Sequence, residues 1–343
     1  MGRIAMLTGG GDCPGLNAVI SAAIRTLEDA GVKAVGLLDG WKGPIEDLTM
    51  PLNLDITAHI IGQGGTILGT SRTNPYNVKG GVDKIKRNFR KLRLDGLIAI
   101  GGEDTLGVAT KLYEEEKLPI VGVPKTIDND LSATDFTFGF DTAVNIAVEA
   151  VERIHTTAAS HHRCLVVEVM GRHAGWIAAY AGICGDADVT LVPEIKVKID
   201  EVCRTLRKNR ARGRTHNIVV ASEGIEFETG KFVKQEERLD AFGHVRLGGV
   251  GNLLAEMIEE RTGYETRSVV LGHLQRGGSP TAFDRMLGTR FGVKAGQMVL
   301  EKDWGRMAAL RGNRIVAVAL RAATKKLKTL NPDFKALVGL FSR

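Results

Sequence analysis

The fold is decided near the start of the chain, where residues 3–24 read RIAMLTGGGDCPGLNAVISAAI. Ile4 to Leu7 form a short, continuous apolar run, which is typical of a buried β-strand. Glycines follow at once, and Asn17 to Ala30 then place apolar side chains at helical spacing. A strand, a tight glycine-rich turn and a helix in this order predict one unit of an α/β fold.

The same alternation continues along the 343 residues. Thr105 to Glu116 and Phe140 to Ala159 show helical spacing, and shorter apolar runs lie between such segments. Strands that are apolar throughout predict mainly parallel sheets with helices on both faces. Because the chain is longer than one usual domain, we predict two lobes. The other predicted strands are Leu97 to Ile100, Ile120 to Val123, Leu165 to Val169, Ile218 to Ala221, Ser268 to Leu271 and Ile315 to Leu320.

The composition narrows the classes of function. A net charge of +6 is compatible with nucleic acid or with small anionic substrates, but aromatic residues make up only 5%, which disfavours stacking on bases. The four cysteines form no C-x-x-C pair, so neither a zinc site nor a disulfide framework is indicated. No signal peptide precedes Ile4 and no apolar run is long enough to span a membrane, so we expect a cytoplasmic protein without membrane contact.

Clusters of glycine, charged and polar residues follow nearly every predicted strand. In parallel sheets, ligands bind in the crevice outside the carboxyl ends of the strands. We therefore expect these clusters to converge on one rim and to form an active site. They are Gly9 to Asp12, Gly101 to Asp104, Pro124 to Asp130, Met170 to Arg172, Ser222 to Gly224 and His273 to Gly278.

Two of these clusters have features of phosphate loops. Glycines in Gly9 to Gly11 allow backbone N–H groups to approach an anion, and the next helix presents the positive end of its dipole. Neither a P-loop nor a G-x-G-x-x-G pattern is present, so a tight turn without a ligand remains an alternative. In the second loop, Glu103 and Asp104 suit a phosphate that arrives with Mg²⁺, although an acidic helix start would also explain them.

The segment Pro124 to Asp130, which we name the base loop, carries two carboxylates, Asp128 and Asp130. In an extended backbone these two side chains point to the same side. One carboxylate can accept a hydroxyl proton while the other orients a partner or the metal, and Lys125 supplies a cation. Phosphoryl transfer requires these parts. An Asx turn is the alternative, because Asp and Asn are common in turns.

Arginine recurs at the ends of the predicted strands, and its rigid fork of N–H groups binds phosphate well. Each arginine alone is compatible with an ordinary surface residue, but their recurrence beside glycine-rich loops indicates a site for anionic groups. His273 could hydrogen-bond a substrate phosphate, whereas the adjacent His161 and His162 lack the spacing of a metal pair on a helix. The arginines are Arg72, Arg163, Arg172, Arg267 and Arg276.

These segments together resemble the 6-phosphofructokinase family. They read GGGDCPGLN at 9–17, PKTIDND at 124–130, MGR at 170–172 and GHLQRGGSP at 272–280, in the order of the family's motifs. The resemblance covers residue 4 to about residue 290. It implies an α/β fold of two lobes with the active site in the cleft between them, and an enzyme that phosphorylates fructose 6-phosphate with Mg²⁺ as cofactor.

The resemblance also implies how the chain divides between the lobes. Residues 1–139 with 252–304 would form the larger lobe, which binds the donor phosphate. Residues 140–251 with 305–343 would form the smaller lobe, which binds the sugar phosphate.

Roles of individual residues follow from the resemblance, position by position. Asp128 matches the catalytic base that takes the proton from the sugar 1-hydroxyl, and Glu103 stands where the family places its Mg²⁺ carboxylate, usually Asp. Catalytic roles also fall to Lys125, Arg72 and Arg172. The donor-binding positions are Gly10, Gly11, Gly102, Asp104 and Thr105. Positions that match contacts to the sugar, its 6-phosphate or the metal are Thr126, Ile127, Asp128, Asp130, Arg163, Met170, Gly171, Arg172, Glu223, Arg267, His273, Leu274, Gln275 and Arg276.

An oligomer with weak regulation is implied as well. Arg163 and Arg267 match arginines that reach into a neighbouring subunit's site, so a homodimer or homotetramer is expected. Allosteric bacterial members carry arginines at an effector site between subunits, where this chain has Ser21 and His155. Because the loss of two phosphate-binding arginines weakens a nucleotide site, we expect little activation by ADP and little inhibition by phosphoenolpyruvate.

Two positions bear on the phosphoryl donor. ATP-using members of the family read GGDG at the second loop and PGTIDND at the base loop. In this chain, Asp104 replaces the last glycine of the first pattern, and Lys125 replaces the glycine of the second. Asp104 adds bulk and negative charge where the α-phosphate of a nucleotide would pass, and Lys125 adds a cation near the leaving phosphate. Both residues match the pyrophosphate-dependent branch, so pyrophosphate is the expected donor and a reversible reaction is expected.

Other interpretations stay open at this point. One is an ATP-dependent 6-phosphofructokinase with unusual loop residues. A second is a non-catalytic sugar-phosphate or nucleotide-binding protein, which the joint presence of Asp128, Glu103 and Arg172 disfavours. Nucleic-acid binding rests only on the basic charge. Sedoheptulose 7-phosphate remains open as a second substrate.

Overall fold

The computed structural model describes residues 2–228, 234–239 and 245–342. Its strands are β1 (Arg3–Gly9), β2 (Lys33–Leu37), β3 (Thr49–Leu52), β4 (Gly96–Gly101), β5 (Ile120–Pro124), β6 (Cys164–Val169), β7 (Val189–Leu191), β8 (Asn217–Ser222), β9 (Lys234–Leu239), β10 (Val245–Leu247), β11 (Thr266–Val270), β12 (Arg306–Arg311) and β13 (Arg314–Ala319). Its α-helices are α1 (Leu16–Asp29), α2 (Lys42–Glu46), α3 (Gly81–Lys91), α4 (Glu103–Glu116), α5 (Phe140–His161), α6 (Trp176–Cys184), α7 (Ile199–Ala211), α8 (Val250–Thr262), α9 (Ala282–Leu300), α10 (Arg321–Thr324) and α11 (Pro332–Phe341).

Two main sheets organise the chain. The larger has seven strands in the order β13-β12-β5-β4-β1-β2-β3, and the smaller has four in the order β11-β6-β8-β7. Every pair in the smaller sheet is parallel, and the larger sheet is antiparallel only at its two edges, between β12 and β13 and between β2 and β3. The predicted class, an α/β fold of mainly parallel sheets, is confirmed.

Strand β1 shows why the apolar run becomes a central strand. Ile4 and Met6 are fully buried in one apolar cluster, while Ala5 and Leu7 are fully buried in another. Successive side chains of a strand point to opposite faces, so both faces of this sheet are covered by packed side chains. On one face α1 packs against α9, and on the other face α4 packs against β4 and β5.

The predicted division between the lobes is wrong at three strands. Strand β11 falls in the range assigned to the larger lobe, yet it pairs with β6 of the smaller sheet. Strands β12 and β13 fall in the range assigned to the smaller lobe, yet β12 pairs with β5 of the larger sheet and β13 pairs with β12. Sheet membership depends on which strand a returning segment pairs with, and the composition of the segment does not indicate that partner.

Among the described residues, no helix is both long and apolar enough to cross a membrane.

Candidate active site

The loops at the carboxyl ends of the two sheets meet in one cleft. Arg276, which follows β11 of the smaller sheet, donates from Nη1 to the backbone oxygen of Asp12 at 3.2 Å. Asp12 lies in the loop after β1 of the larger sheet. Gly11 makes this approach possible, because a Cβ at that position would lie 2.8 Å from Arg276 Nη1. The expected convergence of loops therefore takes the form of a cleft between the sheets.

A buried lysine reaches the first glycine-rich loop. Lys125 follows β5 and is 3% exposed, and its Nζ donates a hydrogen bond to the backbone oxygen of Gly11. The Nζ also lies 3.5 Å from where a Cβ of Gly10 would be. Burial is the main cause that lowers the pKa of Lys125. An amine beside the N–H groups of a glycine-rich loop can bind the oxygens of a phosphate group.

The segment that carries Arg72 is attached to the same loop. Thr70 Oγ1 donates to the backbone oxygen of Gly10 at 2.5 Å, and the N–H of Gly10 donates to the backbone oxygen of Ser71 at 3.2 Å. These bonds place the exposed Arg72 at the edge of the first loop. Its position is compatible with the expected contact to a transferred phosphate.

The second loop leads directly into a helix. Gly102 is the N-cap of α4, and Glu103 and Asp104 occupy its first turn, where carboxylates stabilise the helix dipole. Glu103 also lies close enough to the base loop for its charge to raise the pKa of Asp130. Glu103 can therefore both stabilise the start of α4 and bind a metal ion. Thr105 is 2% exposed and packs against the strand ends, so it supports the loop from behind.

The base loop is bent, so the prediction of an extended backbone is wrong. Asn129 has a φ of 51°, which is left-handed, and the rule of alternating side chains does not apply across it. The N–H of Asp128 donates to Thr126 Oγ1 at 3.1 Å, a short-range bond typical of a turn. Within the described part of the chain, Asp128 Oδ1 is buried without a hydrogen-bond partner. Ile127 is fully buried, so only its backbone is available to a ligand.

Several carboxyl groups lie close together around Asp128. Burial, together with the charges of Asp128 and Glu103, raises the pKa of Asp130 to about 7. Burial also raises the pKa of Glu223 to about 7, with additional effects of Asp128 and Glu168. Carboxylates from both sheets therefore lie close enough for the charge of Asp128 to make ionisation of Asp130 and Glu223 less favourable.

Replacing Glu223 with Gln is expected to stabilise the ligand-free protein above neutral pH. The pKa of Glu223 rises from 4.5 to about 7 on folding, so the folded state binds the proton more tightly. Stability from this group is complete below pH 4.5 and is lost as the pH rises through 7. At pH 8 we expect the free energy of unfolding of Glu223→Gln to exceed that of the wild type by about 1–3 kcal/mol.

Urea unfolding at pH 5 and pH 8, with chelator and without substrate, measures this difference. The gain should shrink at pH 5, and Glu256→Gln, an exposed change on α8, should alter neither value. An equal increase in the free energy of unfolding at both pH values would show that burial does not make the charged form of Glu223 unfavourable.

The carboxylate region fits a Mg²⁺ ion that arrives with phosphate. Among the described residues, no group of three or more His, Cys, Asp or Glu side chains could hold a metal by itself. Mg²⁺ commonly uses one or two protein carboxylates and completes its shell with water and phosphate oxygens. The unpartnered Oδ1 of Asp128 and the repulsion among Asp128, Asp130 and Glu103 are features that a cation would relieve.

The loops of the smaller sheet supply the other wall of the cleft. Gly171 has a φ of 127°, and Ser222 Oγ donates to its backbone oxygen, which joins the loops after β6 and β8. Arg172 and Glu223 project from these two loops. The guanidinium of Arg172 partly opposes the rise in the pKa of Glu223, so the two side chains lie near each other.

The loop after β11 combines one buried residue with exposed ones. Gln275 is fully buried, its Oε1 accepts from the N–H of Met170 at 3.3 Å, and its Nε2 donates to the backbone oxygen of Gly272 at 3.1 Å. Gln275 therefore ties two site loops together. His273 and Leu274 are exposed, and Leu274 retains 70% of its accessible surface.

Two predicted phosphate ligands lie outside this cleft. Arg163 directly precedes β6 and Arg267 lies at the start of β11, at the amino ends of these strands. Both bind Glu265: Arg163 Nη2 lies 2.7 Å and Arg267 Nη2 lies 3.0 Å from its Oε1. A strand of five or six residues spans about 20 Å, so these arginines lie at the end of the smaller sheet that is opposite the cleft.

A residue that no motif marks contacts the base loop. The N–H of Lys328 donates to the backbone oxygen of Asp130 at 2.7 Å, and its Nζ donates to Asn129 Oδ1 at 2.8 Å. Residues 324–330 read TKKLKTL, and nothing in that spacing distinguishes one lysine from the others. Only the path of the chain shows which of them reaches the site.

Comparison with known proteins gives consistent results. The profile of a family named Phosphofructokinase matches residues 3–299. The pyrophosphate–fructose 6-phosphate 1-phosphotransferase of Streptomyces coelicolor is 54% identical over 340 residues, which cover 99% of this chain and 99% of that protein. An ATP-dependent 6-phosphofructokinase 3 of the same organism is 48% identical over 332 residues, which cover 96% and 97%.

A solved structure has the same fold. The phosphofructokinase of Saccharomyces cerevisiae superposes with a TM-score of 0.82 at 29% sequence identity, over 100% of this chain. This chain spans 47% of the length of that yeast chain. The similarity includes both sheets and the cleft between them.

Proposed function

Because the chain belongs to the phosphofructokinase family, we propose that it transfers a phosphoryl group from pyrophosphate to the 1-hydroxyl of fructose 6-phosphate. The products are fructose 1,6-bisphosphate and phosphate. The observation that carries the choice of donor is the buried Lys125, whose Nζ lies at the first glycine-rich loop. The bond broken in pyrophosphate is close in energy to the ester formed, so we expect the reaction to run in both directions.

Asp128 acts as the general base in this proposal. Its buried, unpartnered Oδ1 is available to accept the proton of the sugar 1-hydroxyl as that oxygen bonds to the transferred phosphorus. The bond from phosphorus to the bridging oxygen breaks, and phosphate leaves beside Lys125. Arg72 and Arg172 supply further positive charge around the transferred group. Bound through Glu103 and the phosphate oxygens, Mg²⁺ would neutralise charge on the donor.

Residues of the smaller sheet position the sugar phosphate. Arg276 lies between the two walls of the cleft and is suited to a phosphate group, and Glu223 can hydrogen-bond a sugar hydroxyl. Exposed His273 is within the same loop as Arg276. This arrangement supports an acceptor bound on one side of Asp128, with the donor loops on the other.

Initial rates with fructose 6-phosphate and Mg²⁺ test the proposal, with pyrophosphate compared with ATP at matched concentrations. We expect kcat/KM to favour pyrophosphate by at least about 100-fold, because the charge of Asp104 opposes a longer anionic donor. A preference for ATP would favour the second candidate, an ATP-dependent 6-phosphofructokinase. Absence of activity with both donors would overturn the proposed function.

A second copy of the chain would complete the sugar site. Arg163 and Arg267 lie at the amino ends of β6 and β11, and their side chains are 32% and 56% exposed, so both can reach a neighbouring subunit. We therefore place the working form as a homodimer or homotetramer. Co-expressed Arg163→Ser and Asp128→Asn chains should recover activity that neither variant has alone. No recovery, although the two chains associate, would exclude shared sites.

Weak allosteric regulation is also part of the proposal. Ser21 is 1% exposed and its Oγ donates to the backbone oxygen of Thr57 at 3.2 Å. His155 Nε2 lies 2.9 Å from the backbone oxygen of Gly185, and its Nδ1 lies 3.3 Å from His216 Nε2. Both side chains are engaged within the protein and offer no guanidinium to a phosphate. Addition of ADP or phosphoenolpyruvate to the same assay should leave the rate within about twofold.

A cytoplasmic location remains part of this proposal. The four cysteines are free thiols, and Cys13, Cys164 and Cys203 are buried. Free thiols suit a reducing compartment. Fractionation of the source cells, with the activity followed in each fraction, tests the location.

A further inference from the structure

The segment that follows α10 connects the two walls of the cleft. The N–H of Lys328 donates to the backbone oxygen of Asp130, on the base loop of the larger sheet, at 2.7 Å. The backbone oxygen of Lys328 accepts from Trp176 Nε1 at 2.8 Å, at the start of α6 behind the Arg172 loop. Through its backbone alone, Lys328 therefore links the base loop to the sugar-binding wall.

A second link runs two residues further along. The N–H of Leu330 donates to Glu194 Oε1 at 2.9 Å, and the same carboxylate accepts from the N–H of Gly175 at 3.0 Å. The segment from Lys328 to Leu330 is thus held against the smaller sheet at two points. The side chain of Lys328 is therefore presented to the base loop from a fixed support.

The side chain of Lys328 makes a three-pronged contact with the base loop and the turn after it. Nζ donates to Asn129 Oδ1 at 2.8 Å, to the backbone oxygen of Thr134 at 3.0 Å and to the backbone oxygen of Asp135 at 2.8 Å. An ammonium group has three donors, and all of them are used here. Bonds from a charged donor are shorter and stronger than those between neutral groups.

These contacts act on the residue between the two carboxylates. Asn129 is 2% exposed and adopts a φ of 51°, which costs energy for any residue with a Cβ. Its Oδ1 accepts from Lys328 Nζ and from the N–H of Thr137 at 3.2 Å, so both bonds hold the strained turn. The directions of Asp128 and Asp130 depend on this turn, because they flank it directly.

We propose that Lys328 is a positioning residue, which holds the bent base loop so that Asp128 faces the acceptor hydroxyl; this inference rests on the proposed function. Lys328 does not touch the reacting atoms. Its loss should lower kcat, because the base must be aligned in the transition state, and should change KM much less.

Lys328→Met tests the need for the charge, because methionine preserves most of the side-chain length. We expect kcat with pyrophosphate to fall by about 10–100-fold, and KM for both substrates to stay within about threefold. Lys326→Met, at an exposed position two residues away, is the matched control and should keep the wild-type kcat. Thermal unfolding and fructose 6-phosphate binding by calorimetry verify that each variant is folded.

A cavity beside Lys328 allows a second test. Its volume is about 580 Å³, and Lys328, Asn129, Trp176 and Phe334 are among its lining residues. In Lys328→Ala, an added alkylammonium such as propylamine can enter the vacated space and donate to the same oxygens. We expect propylamine to raise kcat of this variant at least about fivefold, whereas propanol of equal size, which is uncharged, should not.

The outcomes separate the inference from the proposed function. An active wild type with an equally active Lys328→Met would overturn the inference alone, as would a loss confined to KM. Equal rescue by propanol would show that the side chain only fills space. A wild-type chain inactive with every donor would overturn the proposed function, and the positioning role with it.

Discussion

Replacing Asp128 with Asn is expected to lower kcat by about 10³–10⁴-fold, the upper part of the range for general-base catalysis. The substitution keeps the size of the side chain and removes its capacity to accept a proton. Oδ1 is buried without a hydrogen-bond partner among the described residues, so no neighbouring group is positioned to accept the proton in its place. Single-turnover rates with saturating pyrophosphate and fructose 6-phosphate measure the effect.

Binding distinguishes a catalytic from a structural role for Asp128. The charge on Asp128 raises the pKa values of Asp130 and Glu223, so its removal should relieve repulsion and leave fructose 6-phosphate binding intact or slightly tighter. Calorimetric titration of Asp128→Asn with fructose 6-phosphate tests this. Asp55→Asn, at an exposed position outside the cleft, is the control for a generic loss of charge. A parallel loss of sugar binding and of kcat would make Asp128 a structural residue.

The positions of the site loops could be predicted because two independent patterns coincide there. Apolar runs such as Leu97 to Ile100 define strands, and a glycine or charged cluster directly after such a run can only lie at the carboxyl end. In the structure, β4 covers the predicted strand, and the glycine and acidic cluster directly follows its carboxyl end. The convergence of the loops then follows from parallel pairing, without any knowledge of side-chain positions.

The prediction failed where long-range packing decides. Strand β11 pairs with β6 and β12 pairs with β5, although the predicted lobe ranges assigned each of them to the other sheet. The left-handed Asn129 is a second example, because its side chain is hydrogen-bonded by Lys328, about two hundred residues away in sequence. Local patterns hold no information about a contact of that range.

A family motif also cannot tell which way each of its residues points. Gln275 and Ile127 lie in motif segments together with residues that face the cleft, yet both are fully buried. Gln275 joins two loops and Ile127 packs in the core. Arg163 and Arg267 match family residues as well, yet they lie at the amino ends of β6 and β11, away from the cleft of their own chain.

The double substitution Asp104→Gly with Lys125→Gly is expected to raise the ratio of kcat/KM for ATP to that for pyrophosphate by about 100-fold or more, which corresponds to ~2.7 kcal/mol. Asp104, in the first turn of α4, places negative charge beside the donor loops, and its removal favours the longer anion. Lys125 fills the space beside Gly10 and Gly11, so its removal opens room and takes away a cation. Initial rates with both donors at several Mg²⁺ concentrations measure the ratio.

Single variants separate the effect of charge from the effect of space. Lys125→Met keeps the volume of this buried side chain but not its charge, so it should weaken the use of pyrophosphate without opening the site to ATP. Asp104→Gly alone should improve ATP use with a smaller loss for pyrophosphate, because Lys125 still contacts the first loop. If the double variant is folded yet keeps the wild-type ratio, donor choice is set elsewhere in the cleft, and neither residue acts as the filter. Asp104 lies in the helix that begins directly after β4, and Lys125 directly follows β5, the adjacent parallel strand, so the two residues can restrict the same donor from two sides.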